Sequence, residues 1–150
     1  MKVVIQRVTG ASVSIDGSVV GNISKGLLVL AGFECADTDD DLEWMCRKLT
    51  GLRIFDDADG VMNLSVKDIG GEILIVSQFT LMASTKKGNR PSYILSAPGE
   101  IAEPLYEKFK SMVSADLGRE VECGRFGADM KVSLVNDGPV TIIIDTKNKI

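Results

Sequence analysis

The sequence contains no histidine. That absence removes the commonest general base and, with it, any Ser-His or Cys-His nucleophile pair made within the chain. A GxSxG elbow is also missing, which excludes an ordinary serine hydrolase of that kind. There is no CxxC and no HExxH, so a zinc centre, and metal in general, is not expected. Neither GxGxxG nor a Walker A loop appears, and no cofactor is expected. Long apolar runs are lacking: Gly26 to Gly32 is among the longest and is far too short to cross a bilayer. Cysteine is scarce. Cys35, Cys46 and Cys123 are odd in number and widely spaced, which argues against a disulfide framework and for reduced thiols in the cytoplasm. Met1 to Arg7 alternates and turns charged at once, unlike a secretory leader.

Basic excess is lacking too. The formal net charge is −4, which disfavours tight nonspecific nucleic-acid binding; neither DNA nor a membrane is an expected partner. A brief contact with an RNA end remains open through one local patch, Lys86-Lys87-Gly88-Asn89-Arg90-Pro91. On charge alone the same patch also reads as a solvated loop.

What is present is ordinary for a globular chain: 150 residues, 45% apolar and 25% charged. One domain over residues 1–150 is expected. Strands are read at Val3–Val8, Ala11–Ile15 and Val19-Val20, with Asp16-Gly17 as a tight hairpin turn. Gly26–Gly32 is continuously apolar and reads as a strand covered on both faces. A helix is read at Thr38–Leu49, capped by Thr38, acidic in its first turn, with Leu42, Met45, Cys46 and Leu49 inward and Gly51 as its stop. Leu52–Phe55 reads as a strand. The following Asp56-Asp57-Ala58-Asp59-Gly60 resembles a calcium loop only superficially, since Phe55 and Val66 occupy positions that need acids; a hairpin turn is expected. A second helix spans Glu100–Leu117, with Ile101, Leu105, Phe109 and Met112 as its apolar stripe, Pro104 in its first turn or at a kink, and Gly118 as its stop. Further strands are read at Ile73–Val76, Val121–Cys123, Lys131–Val135 and Val140–Ile144, with Val132, Leu134, Val140, Ile142 and Ile144 on one inward face. The sum predicts an α+β layered domain of mixed or antiparallel β-sheets with two main helices.

Two segments carry chemistry. Ser77-Gln78-Phe79-Thr80 ends a buried strand, where backbone N–H groups can stabilise developing negative charge and Gln78 and Thr80 can both donate and accept. It also reads as a strand end whose hydroxyls satisfy local backbone. Asn136-Asp137-Gly138-Pro139-Val140-Thr141 contains an X-Pro step that a fold can hold in cis at small cost; it also reads as a plain turn between two strands. With no imidazole, an enzyme built on these parts works by positioning and main-chain dipoles, or borrows a reactive group from its substrate.

The order and spacing of these segments resemble the D-aminoacyl-tRNA deacylases. The shared text runs through the chain: Val3-Val4-Ile5-Gln6-Arg7-Val8, Gly26-Leu27-Leu28-Val29-Leu30, Leu52-Arg53-Ile54-Phe55, Met62-Asn63-Leu64-Ser65-Val66, Ser77-Gln78-Phe79-Thr80-Leu81, Lys87-Gly88-Asn89-Arg90-Pro91-Ser92, Glu103-Pro104-Leu105-Tyr106, Gly124-Arg125-Phe126-Gly127-Ala128-Asp129-Met130 and Asn136-Asp137-Gly138-Pro139-Val140-Thr141. Ser84 and Cys35 depart from it, where an acid and a histidine are common; neither lies in the two signature segments. The resemblance implies the deacylase fold, a homodimer with sites at its interface, and hydrolysis of the ester between a D-amino acid and the 3′-terminal adenosine of tRNA, with L-aminoacyl groups rejected. It implies that Ser77, Gln78 and Thr80 act in catalysis and that Phe79, Phe126, Gly138 and Pro139 bind substrate, the cis Gly-Pro step reaching the partner's pocket. Two chemistries stay open: Thr80 as nucleophile, or attack by water or the substrate's 2′-hydroxyl. Glycine has no Cβ to reject, so glycyl-tRNA is a further expected substrate. The rival reading from the residues alone is a noncatalytic dimeric module that binds an RNA end or small ligand.

Overall fold

In the computed structural model, which describes residues 1–150, one long strand organises the rest. β1 (Lys2–Ile15) pairs along nearly its whole length with β8 (Lys131–Asp145), antiparallel. Its other edge is shared: β3 (Gly26–Gly32) pairs with Lys2 to Val8, and β2 (Ser18–Ile23) pairs with Ala11 to Ile15. The sheet continues from β3 in parallel to β6 (Glu72–Ser77) and then to β7 (Glu122–Cys123). The β1–β2 connection is the Asp16-Gly17 turn, both residues at positive φ, as the right-handed twist of a two-residue hairpin requires. β4 (Phe55–Asp56) and β5 (Met62–Leu64) form a separate small hairpin. Asp57 organises it, its carboxylate accepting the backbone N–H groups of Asp59 and Val61 at 2.9 and 3.0 Å.

The apolar runs are explained by two cores, one on each face. Alternate residues of β3 and β6 point opposite ways. Leu27, Val29, Ala31, Ile73 and Ile75 join the larger core beneath the helices; Leu28, Leu74 and Val76 join a smaller one with Val8, Ala11, Val13 and Ile23. β3 and β6 meet closely at their starts: a Cβ on Gly26 would lie 1.8 Å from the Glu72 carbonyl oxygen. Only glycine permits that approach.

α1 (Asp39–Gly51) begins after Thr38, as its cap and acidic turn predict. Its end differs. Gly51 is the last helical residue rather than the stop, and Leu52 caps the helix in an extended conformation. Strand structure therefore starts only at Phe55, not at Leu52. α2 (Gly99–Leu117) ends at Gly118 in the left-handed region, as expected. Its buried face is Ala102, Tyr106, Phe109 and Val113, while Ile101 is exposed. The expected stripe is rotated because Tyr106 buries its whole ring and donates its hydroxyl proton to Ile75 O at 3.0 Å. Pro104 sits past the first turn, and the helix continues through it.

Two further corrections concern continuity. The two strands read before the hairpin are one, with register shifts between Gln6 and Val8 and between Val8 and Gly10. The two strands read after Lys131 are also one, β8, which passes through the Gly138-Pro139 step without ending. The single inward face expected for this stretch is divided: Val132 and Leu134 pack half-buried on the smaller core, and Val140, Ile142 and Ile144 on the larger. β8 pairs with β1 alone, so its outer edge is open.

Candidate active site

The end of β6 builds one wall of a cleft. Ile73 to Val76 anchor the strand in both cores, and Gln78 N–H donates to Ala31 O at 2.7 Å, holding the chain against β3. Gly32 leaves room for this: a Cβ there would meet Gln78 O at 2.8 Å. The chain then enters a 3₁₀ turn over Phe79–Met82. A bond of this turn runs from Leu81 N–H to Gln78 O, so the amides of Phe79 and Thr80 precede the turn's own bonding and are not consumed by it.

The cleft has a volume of about 280 Å³. Val76, Met130 and Val132 form its apolar floor; Ser77, Gln78 and Phe79 face the loop that carries Phe126. The structure thus brings four of the sequence-derived site residues together: Ser77, Gln78, Phe79 and Phe126. Phe126 leans on Tyr106, centroids 5.9 Å apart, so the same α2 tyrosine that ties to β6 also supports the opposite wall. Thr80 is not a lining residue; its hydroxyl accepts a hydrogen bond from Gln78 Nε2 at 2.5 Å. In that arrangement Gln78 is a donor to Thr80, not a base for it, and the hydroxyl keeps its own proton to give.

Gly138 and Pro139 lie elsewhere. Both are exposed, and neither lines the cleft. The bond between them is cis, and Gly138 has φ +140°. Val132 at the cleft floor and Gly138 are six residues apart on β8, about 20 Å at the rise of a strand. Two side chains hold this step. Asn136 closes it from within, Oδ1 accepting the Val140 N–H at 2.8 Å and Nδ2 donating to Thr141 Oγ1 at 3.0 Å. Arg7 holds it from below: Nε donates to Asp137 O at 2.9 Å and Nη1 to Ile54 O at 2.7 Å, with Asp56 and Asp137 carboxylates at 3.6 and 3.8 Å.

Arg7 is only 8% exposed, and sequence reading gave it no role. The signal was available: Arg7 is in phase with the buried Val3 and Ile5, and a charge on a core phase marks a buried, partnered group. Met130 and Val132 were likewise missed as cleft floor, because half-buried apolar residues at and just before the start of a strand look like core.

Comparison with known proteins decides the family. The sequence pattern described as D-Tyr-tRNA(Tyr) deacylase matches residues 4–145. The chain belongs to the D-Tyr-tRNA(Tyr) deacylase family. It is 63% identical over 149 residues to a D-aminoacyl-tRNA deacylase of Flavobacterium psychrophilum and 59% identical to one of Bacteroides thetaiotaomicron, covering 99% of each chain. Among solved structures it is similar to a c-Myc DNA unwinding element binding protein, with TM-score 0.92, 44% identity and coverage of 97% and 98% of the two chains. A probable eukaryotic D-amino acid tRNA deacylase shares the fold, with TM-score 0.83 at 18% identity and coverage of 95% and 97%. This deacylase-family fold is the expected α+β one, with a mixed sheet and two helices. No helix in it is long and apolar enough to cross a membrane.

Proposed function

We infer that this chain hydrolyses the ester of D-aminoacyl-tRNA in the cleft between Ser77–Phe79 and Phe126, releasing D-amino acid and tRNA. The observation that carries the site is the pair of amides left free by the 3₁₀ turn, that of Phe79 on the cleft wall beside an apolar floor and that of Thr80 next along the chain. In the reaction, water adds to the ester carbonyl carbon and the C=O electrons move onto oxygen. Those amides stabilise the oxyanion, where one such donor is worth about 2.7–4 kcal/mol of barrier. The intermediate collapses by breaking the bond to the 3′-oxygen, which leaves with a proton from water or from the neighbouring 2′-hydroxyl. Thr80 serves as a donor, because no base stands by to make it a nucleophile.

The cleft is small for its task, at the low end of ligand sites, and one wall is open. A homodimer supplies the missing wall. β8 offers an open edge with Val135 and Ile143 exposed along it, and such edges are ordinarily covered. The Gly138-Pro139 step faces solvent about 20 Å from its own cleft, and in the proposed dimer it enters the partner's. Main-chain carbonyls there would hold the substrate ammonium and leave no space for the Cβ of an L-residue, while a D-residue or glycine fits. The test is incubation with D-tyrosyl-tRNA and L-tyrosyl-tRNA. Release of D-tyrosine alone is expected; no turnover of either would leave a binding module instead.

A further inference from the structure

One stretch of this acidic chain has an anomalous charge. From Ser77 to Gly99 there is no Asp or Glu, yet the stretch holds Lys86, Lys87 and Arg90. All three are exposed, and none is within ion-pair distance of a carboxylate. Elsewhere most cations are spoken for: of the other fourteen lysines and arginines, nine are ion-paired. Arg125, also exposed and unpaired, stands next to Phe126 on the facing wall.

The geometry ties this charge to the cleft. Ser84 and Ser92 exchange backbone hydrogen bonds at 2.8 and 2.9 Å, closing the loop that carries the three cations directly after the 3₁₀ turn. The chain then returns to Tyr93, whose ring meets Phe79 edge-on, centroids 5.1 Å apart at 70°. Phe79 is 57% exposed and Tyr93 39%, although large aromatic rings are usually far more buried. Exposed aromatic faces beside unpaired cations are the composition of a single-strand platform: bases stack on rings while phosphates meet lysine and arginine.

We propose that Tyr93, Lys86, Lys87 and Arg90 form a docking strip for the unpaired 3′ nucleotides of tRNA that precede the terminal adenosine. This rests on the reading of the cleft as the deacylation site, since it continues the RNA strand outward from that cleft. The unpaired nucleotides lie along Phe79–Tyr93, and their phosphates run past the loop.

The experiment measures binding, so that it stands apart from turnover. Uncharged tRNA is compared with the same tRNA trimmed of its unpaired 3′ nucleotides, across a salt series. The intact chain is expected to prefer intact tRNA about tenfold or more. Lys86→Gln/Lys87→Gln/Arg90→Gln is expected to erase most of that preference and to flatten the log K against log salt slope by about 2, at roughly 0.7 per phosphate. Tyr93→Ala is expected to lose it and Tyr93→Phe to keep it. Equal binding of both tRNAs by the unaltered protein overturns the proposal. So does unaltered binding by the variants, or a Tyr93→Ala effect on assembly state in sedimentation with tRNA preference intact. Binding as expected without hydrolysis of D-tyrosyl-tRNA would overturn the catalytic reading and leave the strip standing.

Discussion

Arg7 Nε donates to the carbonyl oxygen of Asp137 across 2.9 Å, joining the first strand of the chain to the last at the residue before Gly138. The arginine is buried, so its bonds work at low dielectric and its loss leaves two carbonyls, of Asp137 and Ile54, without their donor. Arg7→Ala is expected to lower stability by about 3 kcal/mol and kcat/KM for D-tyrosyl-tRNA by more than about tenfold. Arg7→Lys is expected to recover stability in part but not activity, because one ammonium cannot reproduce the guanidinium fork that spans both carbonyls. Chemical denaturation and steady-state kinetics on the same preparations separate the two effects.

Thr80 receives the Gln78 amide and has no base beside it. Thr80→Ala is therefore expected to slow hydrolysis only a few-fold, and rapid-quench experiments are expected to show no acyl-enzyme. An obligatory nucleophile would cost on the order of 10⁴ or more.

Shared sites can be tested by complementation. Gly138→Ala would place a Cβ 2.8 Å from Val140 Cγ2 and 3.1 Å from Arg7 Nη2, spoiling the step; Gln78→Ala spoils the cleft. Each homodimer is expected to be inactive. A mixed dimer holds one site with both lesions and one with neither, so random co-assembly restores about one site in four. No recovery on mixing would show that Gly138 serves its own chain.

Asp41 sets an acid limit on the fold. Burial pushes its carboxyl up, but the Lys147 ammonium, the Thr38 N–H and the hydroxyls of Thr146 and Thr38 together outweigh burial and hold it well below the usual carboxylate range. A depressed carboxylate stabilises the fold at pH above its unfolded value, near 3.9, and that contribution is lost as pH falls through the folded value. The melting temperature is expected to drop steeply below about pH 4. Asp41→Asn is expected to melt lower at pH 7, by a cap's worth of about 1 kcal/mol, and to show a flatter acid limb in calorimetry.

Local chemistry was readable where one residue decides one event. Asp16-Gly17 gave the hairpin, Thr38 the start of α1 and Gly118 the end of α2, since each acts through its own backbone. Continuity was not readable. The gap between Val8 and Ala11 and the Gly138-Pro139 step were read as separating strands, but β1 stays paired with β8 across the first, and at the second, where residues 137–140 leave the ladder, Asn136 satisfies the amide of Val140 from its side chain. The rotated face of α2 escaped notice because periodicity weighs Tyr106 as half-polar, while Ile75 O gives its hydroxyl a partner inside. At the site, Ser77 to Phe79 and Phe126 were legible as motifs. That Gly138 lies far along the strand from the same chain's cleft was not, since distance along β8 has meaning only once β8 is known to be one strand.

The bare α-carbon of Gly26 calibrates the cleft from the opposite end of the sheet. The β3–β6 ladder starts at Gly26 and Glu72 and climbs without a bulge to Ala31 and Ser77, about 17 Å at strand rise. A methyl group on the first rung would force the two strands apart there, and an unbroken parallel ladder has no slack in which to absorb the offset. Alignment of the cleft wall at Ser77 to Phe79 is thus inherited from a residue at the far end of the ladder.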